Sequence, residues 1–120
     1  MHTDCTNARA NGENSYVFVC AVPDGGVLYF ARDKKGHAGI KCTVVEDYQG
    51  TLVHDHDVTF YKYGTGHQEC LAHVLRYLKD SMDNEKDRTW NRQMHSLIQE
   101  IRRRLCHSGV RQASTISVNA

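Results

Sequence analysis

A β-hairpin in the first third of the chain constrains the fold more than any other sequence feature. Residues 16–22 (YVFVCAV) are mostly aromatic or β-branched, which predicts a strand. Residues 23–26 (PDGG) are a turn sequence, because proline presets one backbone angle and glycine accepts a positive φ. Residues 27–32 (VLYFAR) predict the returning strand. The fold therefore contains a β-sheet.

Shorter predicted elements lie on both sides of the hairpin. Residues 2–6 predict a short strand, and residues 7–15, which contain Asn, Gly and Ser, predict a turn. Residues 36–48 predict a helix, because their apolar side chains recur at helical spacing. The apolar run at residues 51–54 predicts a buried strand, and a short helix or turn follows at residues 59–63.

Two amphipathic helices close the predicted domain. Each carries one apolar stripe at steps of three and four residues, formed by Leu71, Val74, Leu75, Leu78 and Met82 in the first, and by Trp90, Met94, Leu97, Ile98, Ile101 and Leu105 in the second. Residues 108–120 show no periodicity and predict an extended or disordered tail. One core over residues 1–107 is therefore expected, since 120 residues suit a single domain.

The order of these elements predicts a mixed sheet with helices packed on it. A single strand that follows a helix usually returns parallel to an earlier strand. The pattern therefore predicts an α/β or α+β fold and leaves the strand order open. The chain has 40% apolar and 24% charged residues and no apolar run of about 20 residues, so we expect a globular protein that does not span a membrane.

The net charge argues against one class of function, and the charged residues are distributed unevenly along the sequence. The formal net charge is +1, which argues against a globally basic nucleic-acid binder. Residues 1–75 carry six basic and nine acidic side chains, whereas residues 76–120 carry nine basic and five acidic. The acidic part suits a metal ion and the basic part a polyanion, although solvated helices often carry such charge too.

Asp4 and Asp55 are candidate metal ligands because each lies at or near the end of a predicted strand. If the two strands are neighbours, the carboxylates converge, and a divalent cation relieves their repulsion. Oxygen ligands suit Mg²⁺ or Mn²⁺, which assist displacement at phosphate. The alternative is that Asp4 belongs to a turn and Asp55 caps a helix.

Cys70, His73 and Arg76 lie together in the string C-L-A-H-V-L-R at the start of the first long helix. Cys70 and His73 share a helix face, so a zinc site is one hypothesis, with His54 and His56 as possible further ligands. A buried cysteine and a hydrogen-bonded histidine are the alternative. The five cysteines are widely spaced and form no C-x-x-C pair, which predicts free thiols in a reducing cytosol.

The last predicted helix is basic and offers candidate contacts to DNA phosphates. Arg92, Arg102 and Arg103 are the residues we single out, beside Arg88, Arg104 and Arg111. Three consecutive arginines point in three directions, so only part of the triplet faces one partner. A solvated helix C-terminus, where cations suit the helix dipole, is the alternative.

Taken in order, these features resemble the IS66 family of insertion-sequence transposases. The resemblance covers roughly residues 2–105, and its most specific parts are V-H-D, which ends at Asp55, and C-L-A-H, which begins at Cys70. It implies a DDE catalytic domain with a ribonuclease-H-like fold. Asp4 and Asp55 then match the first two catalytic acids, which would bind Mg²⁺ or Mn²⁺. DNA would be the substrate, in a bacterial cytoplasm, and the protein is expected to be a homo-oligomer.

Two departures from the family pattern shape the functional expectation. Cys5 follows Asp4 where the family usually has Glu, and the segment Asn-x-x-Glu-Arg that carries the third acid in the family does not occur in the chain. We therefore expect a fragment of a DDE transposase, incomplete at its C-terminus, whose parent enzyme cleaves and transfers DNA strands. The alternative is a catalytically inactive DNA-binding or assembly module derived from a transposase.

Overall fold

The computed structural model describes residues 1–108, and the predicted tail falls almost entirely outside these residues. Residues 1–69 form one compact unit and residues 70–108 belong to another. The first unit contains the strands β1 (His2–Ala10), β2 (Glu13–Ala21), β3 (Val27–Arg32), β4 (Thr51–His54) and β5 (Gly66–Glu69), the short helix α1 (His37–Ile40), and a 3₁₀ helix (Val58–Lys62). The second unit contains the helices α2 (Leu71–Asn84) and α3 (Trp90–His107).

A single sheet of five strands, in the order β3-β2-β1-β4-β5, organises the part of the first unit that the structure describes. The pairs β1–β2 and β2–β3 are antiparallel, whereas β1–β4 and β4–β5 are parallel. The predicted mixed sheet in an α/β fold is confirmed, and it is consistent with a ribonuclease-H-like architecture. The predicted hairpin at residues 16–32 corresponds to β2 and β3.

The core of the first unit lies between this sheet and the segments that cross it. Its buried side chains come from β2, β4, α1 and its following turn, and the 3₁₀ helix; they are Phe18, Cys20, Ile40, Val45, Leu52 and Phe60. Phe18 and Phe30 stack in parallel with ring centroids 5.2 Å apart. This apolar packing holds the parallel strands that carry the candidate site.

The predicted turn over residues 7–15 is wrong, because β1 and β2 run through most of it. Only Asn11 and Gly12 form the loop, and Ala10 pairs with Glu13 across it. Both loop residues have positive φ, 53° and 84°. Two such residues make the turn whose twist matches paired strands, and Asn-Gly is its preferred sequence. The strands can therefore continue to the two loop residues.

The predicted helix over residues 36–48 is also wrong in length, because α1 ends at Ile40. Cys42 has a φ of 59°, which no α-helix accepts. Beyond it, successive three-residue turns replace helical bonds, as in the N–H of Glu46 donating to the carbonyl of Thr43. The β-branched run at residues 43–45 has weak helix propensity, which favours these turns.

The sequence did not predict β5, whose four residues, GHQE, carry no apolar side chain. β5 is the edge strand beside β4 and pairs with it in parallel from Thr51–Gly66 to His54–Glu69. An edge strand needs backbone pairing more than side-chain burial, so its polar residues give no strand pattern. The short helix or turn predicted just before it is confirmed as the 3₁₀ helix.

In the second unit, α2 and α3 pack against each other. Leu75 and Leu78 of α2 are buried. The wholly buried Asn91 of α3 donates through Nδ2 to Oγ of Ser81 at 3.2 Å. Most of the predicted α3 stripe remains about half exposed, with Leu97 at 53%. No helix among residues 1–108 is both long and apolar enough to cross a membrane.

Candidate functional site

The sheet brings Asp4 and Asp55 together. β1 and β4 are parallel neighbours, and His2 lies opposite Val53. Two residues further along each strand, Asp4 therefore lies beside Asp55, and one carboxylate oxygen of each lies within 4.8 Å of the other. Both side chains are half-buried. The expected neighbouring strands and converging carboxylates are thus present in the first unit.

Local hydrogen bonds fix both carboxylates. Oδ1 of Asp4 accepts the backbone N–H of Cys5 at 2.8 Å, and Oδ1 of Asp55 accepts the backbone N–H of Asp57 at 3.1 Å. Asp57 in turn caps the 3₁₀ helix, because its Oδ1 accepts the N–H of Thr59 at 2.9 Å. Burial alone raises the pKa of Asp57, but the hydrogen bonds from Thr59 and the nearby Lys35 outweigh it and hold that pKa below its usual range.

Cys5, which follows Asp4 on β1, is a poor soft ligand in this setting. Burial raises the pKa of its thiol, and the neighbouring carboxylates of Asp4, Asp57 and Asp55 add to that effect, although Lys35 opposes it. A protonated thiol binds metal weakly, because the thiolate is the ligand form. The donors at this point of the sheet are therefore carboxylate oxygens.

A second cluster of polar side chains follows the ends of β4 and β5. Oε1 of Glu69 accepts a hydrogen bond from Tyr61 Oη at 2.7 Å and contacts His56 Nδ1 at 2.6 Å. The hydrogen bonds from Tyr61 and His56 lower the pKa of Glu69, and the same bonds raise the pKa values of His56 and Tyr61. Glu69 was missed because β5 gave no strand signal.

His54 is the deeply buried member of this region, with 1% of its surface exposed. Its Nδ1 contacts the carbonyl oxygen of Asp55, and its Nε2 lies 3.1 Å from Nδ1 of His67. Both ring nitrogens are therefore occupied. This arrangement disfavours the hypothesis that His54 is a zinc ligand.

The string C-L-A-H-V-L-R falls at the start of the second unit. Cys70 is the N-cap residue of α2 and is buried, and its carbonyl accepts the N–H of Val74 at 3.0 Å. His73 lies half-buried in the first turn, and Arg76 is exposed in the next. Cys70 is therefore buried as expected, although it precedes the first turn and does not belong to it.

The candidate DNA contacts lie along α3. Arg92 and Arg103 are eleven residues apart, about three turns or roughly 16 Å, and so share a face. Arg103 donates to Glu100 through Nε and Nη2 at 2.9 and 2.8 Å, and Arg104 donates to the same carboxylate. Arg92 is exposed and Arg102 half-buried. Glu100 therefore neutralises part of the positive charge that the arginine triplet offers to a phosphate.

Fold and site together define an α/β protein with a candidate divalent-cation site where two adjacent parallel strands bring two carboxylates together. The chain belongs to the transposase IS66 family, whose family model matches residues 1–114 of the 120. No curated protein and no solved structure matches the chain. The resemblance inferred from the sequence is thereby confirmed. Family membership gives the chain a transposase-related function, implies DNA as its partner and suggests a divalent metal.

Proposed function

We propose that this chain supplies the first two acids of a DDE-type transposase site, with Asp4 and Asp55 holding one divalent cation. The observation that supports the proposal is the approach of their oxygens to within 4.8 Å. Two oxygens that share one Mg²⁺ at 2.0–2.1 Å are at most about 4.2 Å apart, so a sub-ångström adjustment suffices. Both of these carboxylate donors are hard oxygen atoms, which fit Mg²⁺ or Mn²⁺.

The residues themselves contribute charge and orientation. Asp4 and Asp55 each use one oxygen to accept a backbone N–H, which restricts the rotation of the carboxylate. The fixed orientation lowers the cost of ordering the ligands when a cation binds. When bound, the metal supplies Lewis-acid stabilisation of the charge that develops on phosphate oxygens during strand cleavage and transfer.

The chain alone is proposed to be inactive in DNA cleavage. Two-metal phosphodiester chemistry needs ligands that hold two ions about 3.5–4 Å apart, and the family takes a third acid for this purpose. The 120 residues contain no Asn-x-x-Glu-Arg segment, and neither Glu85 nor Glu100 matches it. We therefore propose that the chain corresponds to part of a transposase catalytic domain, with residues 1–107 as its core. The proposed activity of the parent enzyme is DNA strand cleavage and transfer in the bacterial cytoplasm.

The second candidate function is a catalytically inactive DNA-binding or assembly module. The missing third acid favours it for the chain as given. Arg92, Arg102 and Arg103 are its proposed phosphate contacts. Arg92 is ranked first because it is exposed, whereas the guanidinium of Arg103 already pairs with Glu100. Cleavage and binding can be separated, since binding needs the basic helix and cleavage needs the carboxylates.

Self-association is proposed through β3, the edge strand at one side of the sheet. Val27, Leu28 and Tyr29 are 56%, 50% and 68% exposed, and an exposed apolar edge is a template for another strand. Antiparallel pairing of two copies would place the acidic start of one strand, at Asp24, near the basic end of the other, at Lys34. Light scattering of wild type and Tyr29→Lys tests this: the variant is expected to be monomeric, and an unchanged oligomer would contradict the proposal.

The main experiment measures metal binding and DNA nicking in the same samples. We expect Mn²⁺ to bind wild type in an electron paramagnetic resonance titration, to bind Asp4→Asn and Asp55→Asn far more weakly, and to support no nicking of supercoiled plasmid in any of them. Asp47→Asn is the matched control, because this exposed aspartate lies elsewhere in the first unit. Mn²⁺ binding that survives in both site variants would refute the metal site, and nicking that Asp55→Asn abolishes would refute inactivity.

A further inference from the structure

The buried imidazole of His54 has a set of partners that the carboxylate site does not explain. It lies at the last position of β4, directly before Asp55. A buried polar ring needs hydrogen-bond partners for both nitrogens, because water is not there to satisfy them. His54 has both, one on the backbone of Asp55 and one on His67 of β5. The His54 ring therefore links the backbone of Asp55, whose carboxylate is a candidate metal ligand, to the edge strand β5.

The partners assign the proton positions on the two rings. The carbonyl oxygen of Asp55 can only accept, so Nδ1 of His54 carries the hydrogen. In the neutral ring Nε2 is then the acceptor, and Nδ1–H of His67 donates to it across 3.1 Å. One chain of hydrogen bonds thus runs from β5 through His54 to the backbone of Asp55.

Aromatic contacts hold the His54 ring in this orientation. Tyr61 meets it edge-to-face, with centroids 4.6 Å apart and an interplanar angle of 88°. Phe60 lies at 5.5 Å and His67 at 5.3 Å, the latter also close to perpendicular. A ring enclosed in this way has few alternative rotamers, because neighbouring side chains occupy the space that they need.

We propose that His54 is a positioning residue for the metal site: it holds the backbone of Asp55 so that the carboxylate stays beside Asp4. Two contacts fix Asp55 from opposite ends, namely the His54 bond at its carbonyl and the Asp57 bond at its Oδ1. His54 cannot itself coordinate the cation while both nitrogens are engaged. The inference rests on the proposed metal site, and it adds His54 and His67 as the groups that orient its second ligand.

The test compares two substitutions that remove the ring but differ in the donor. In His54→Asn the side-chain amide can occupy the Nδ1 position and donate to the Asp55 carbonyl, whereas His54→Leu leaves that carbonyl without its donor. Loss of an orienting group typically weakens metal binding about 10- to 100-fold. We expect His54→Leu to weaken Mn²⁺ binding by about tenfold or more and His54→Asn to remain within about threefold of wild type, while both lower the unfolding temperature similarly. His37→Asn, a substitution of an exposed histidine in the same unit, is the control.

Each outcome separates the inference from the function on which it rests. Equal Mn²⁺ affinities for His54→Leu, His54→Asn and wild type, with binding lost in Asp55→Asn, would refute the positioning role alone. Mn²⁺ binding unaffected by Asp55→Asn would refute the metal site instead. If His54→Leu does not fold, His67→Leu decides the question, because it removes only the outer bond and is expected to weaken binding a few-fold; an unchanged affinity would overturn the proposal. Nitrogen NMR of metal-free protein must also show the Nδ1–H tautomer of His54, and the Nε2–H tautomer would overturn the assignment.

Discussion

Replacing Asp55 by Asn should stabilise the metal-free protein while it weakens metal binding. The substitution keeps the shape of the side chain and the oxygen that accepts the Asp57 N–H, but removes a negative charge. The charge that remains on Asp4 then no longer faces the charge of Asp55, whose carboxylate oxygen lies within 4.8 Å of it. Repulsion between the two groups, which destabilises the folded state without a cation, is thereby relieved.

The size of the effect follows from Coulomb's law. Two unit charges 4.8 Å apart repel by about 3.5 kcal/mol at an effective dielectric constant of 20, and by about 0.9 kcal/mol at that of water. Both side chains are half-buried, so we expect a stabilisation of about 1–2 kcal/mol. For a chain of 120 residues, this corresponds to a rise in Tm of roughly 4–8 °C.

Thermal unfolding with and without Mn²⁺ provides the assay. In EDTA, Asp55→Asn should unfold at a higher temperature than wild type, whereas Asp47→Asn should unfold near the wild-type temperature. At ten times its Kd, Mn²⁺ stabilises wild type by about 1.4 kcal/mol, and the same concentration should leave Asp55→Asn almost unchanged. The difference between the two proteins therefore shrinks or reverses when the ion is added.

Two results would refute this reasoning. A lower unfolding temperature for Asp55→Asn in EDTA would mean that the two carboxylates do not repel one another in the folded protein. An equal increase in Tm for wild type and variant on adding Mn²⁺ would mean that the ion binds elsewhere. Repeating the EDTA measurement in 1 M salt should reduce the difference, because screening weakens repulsion between partly exposed charges.

Three further predictions concern backbone geometry and DNA. Gly12→Val should lower the free energy of unfolding by about 1–2 kcal/mol in urea, because φ at Gly12 is 84° and a β-branched residue is strained there; an unchanged midpoint would contradict the turn. Gly39→Ala should cost about 2–3 kcal/mol, because its Cβ would lie 2.3 Å from the carbonyl oxygen of Lys34, and a neutral effect would contradict this close approach. Arg92→Gln should weaken DNA binding and reduce its salt slope by about one, more than Arg103→Gln, whose guanidinium a glutamate already holds; equal losses would contradict the ranking.

The elements that the sequence predicted well are those whose pattern depends on burial. The hairpin at residues 16–32 and the stripe of α2 follow strand and helix periods, since side chains such as Phe18 and Leu75 are buried. The stripe of α3 follows the helix period too, although most of it is about half exposed. Asp4 and Asp55 could be paired because Asp4 lies on one strand and Asp55 directly follows another, and because a strand after a helix usually returns parallel. Their proximity follows from topology and needs no long-range contact information.

What the sequence could not predict depends on backbone conformation or on pairing between strands. The Asn11-Gly12 loop was available as a dipeptide signal, but the surrounding polar residues suggested a longer turn. The positive φ of Cys42, which ends α1, is set by tertiary structure and has no residue preference to reveal it. β5 is held by backbone bonds to β4, so the contacts of His67 and Glu69 with His54 and Tyr61 could not be anticipated.

The parallel pairing of β1 with β4 also determines when the two carboxylates meet during folding. The β1–β2 and β2–β3 hairpins join strands that are neighbours in the sequence and close small loops. By contrast, His2 pairs with Val53 only after the chain between them has become compact. Loop-closure entropy makes such non-local pairing the slow step of folding. In refolding followed by stopped flow, we expect far-ultraviolet circular dichroism to recover before Mn²⁺ binding does. Chains at an early stage of refolding would therefore have their antiparallel strands before they have a cation site.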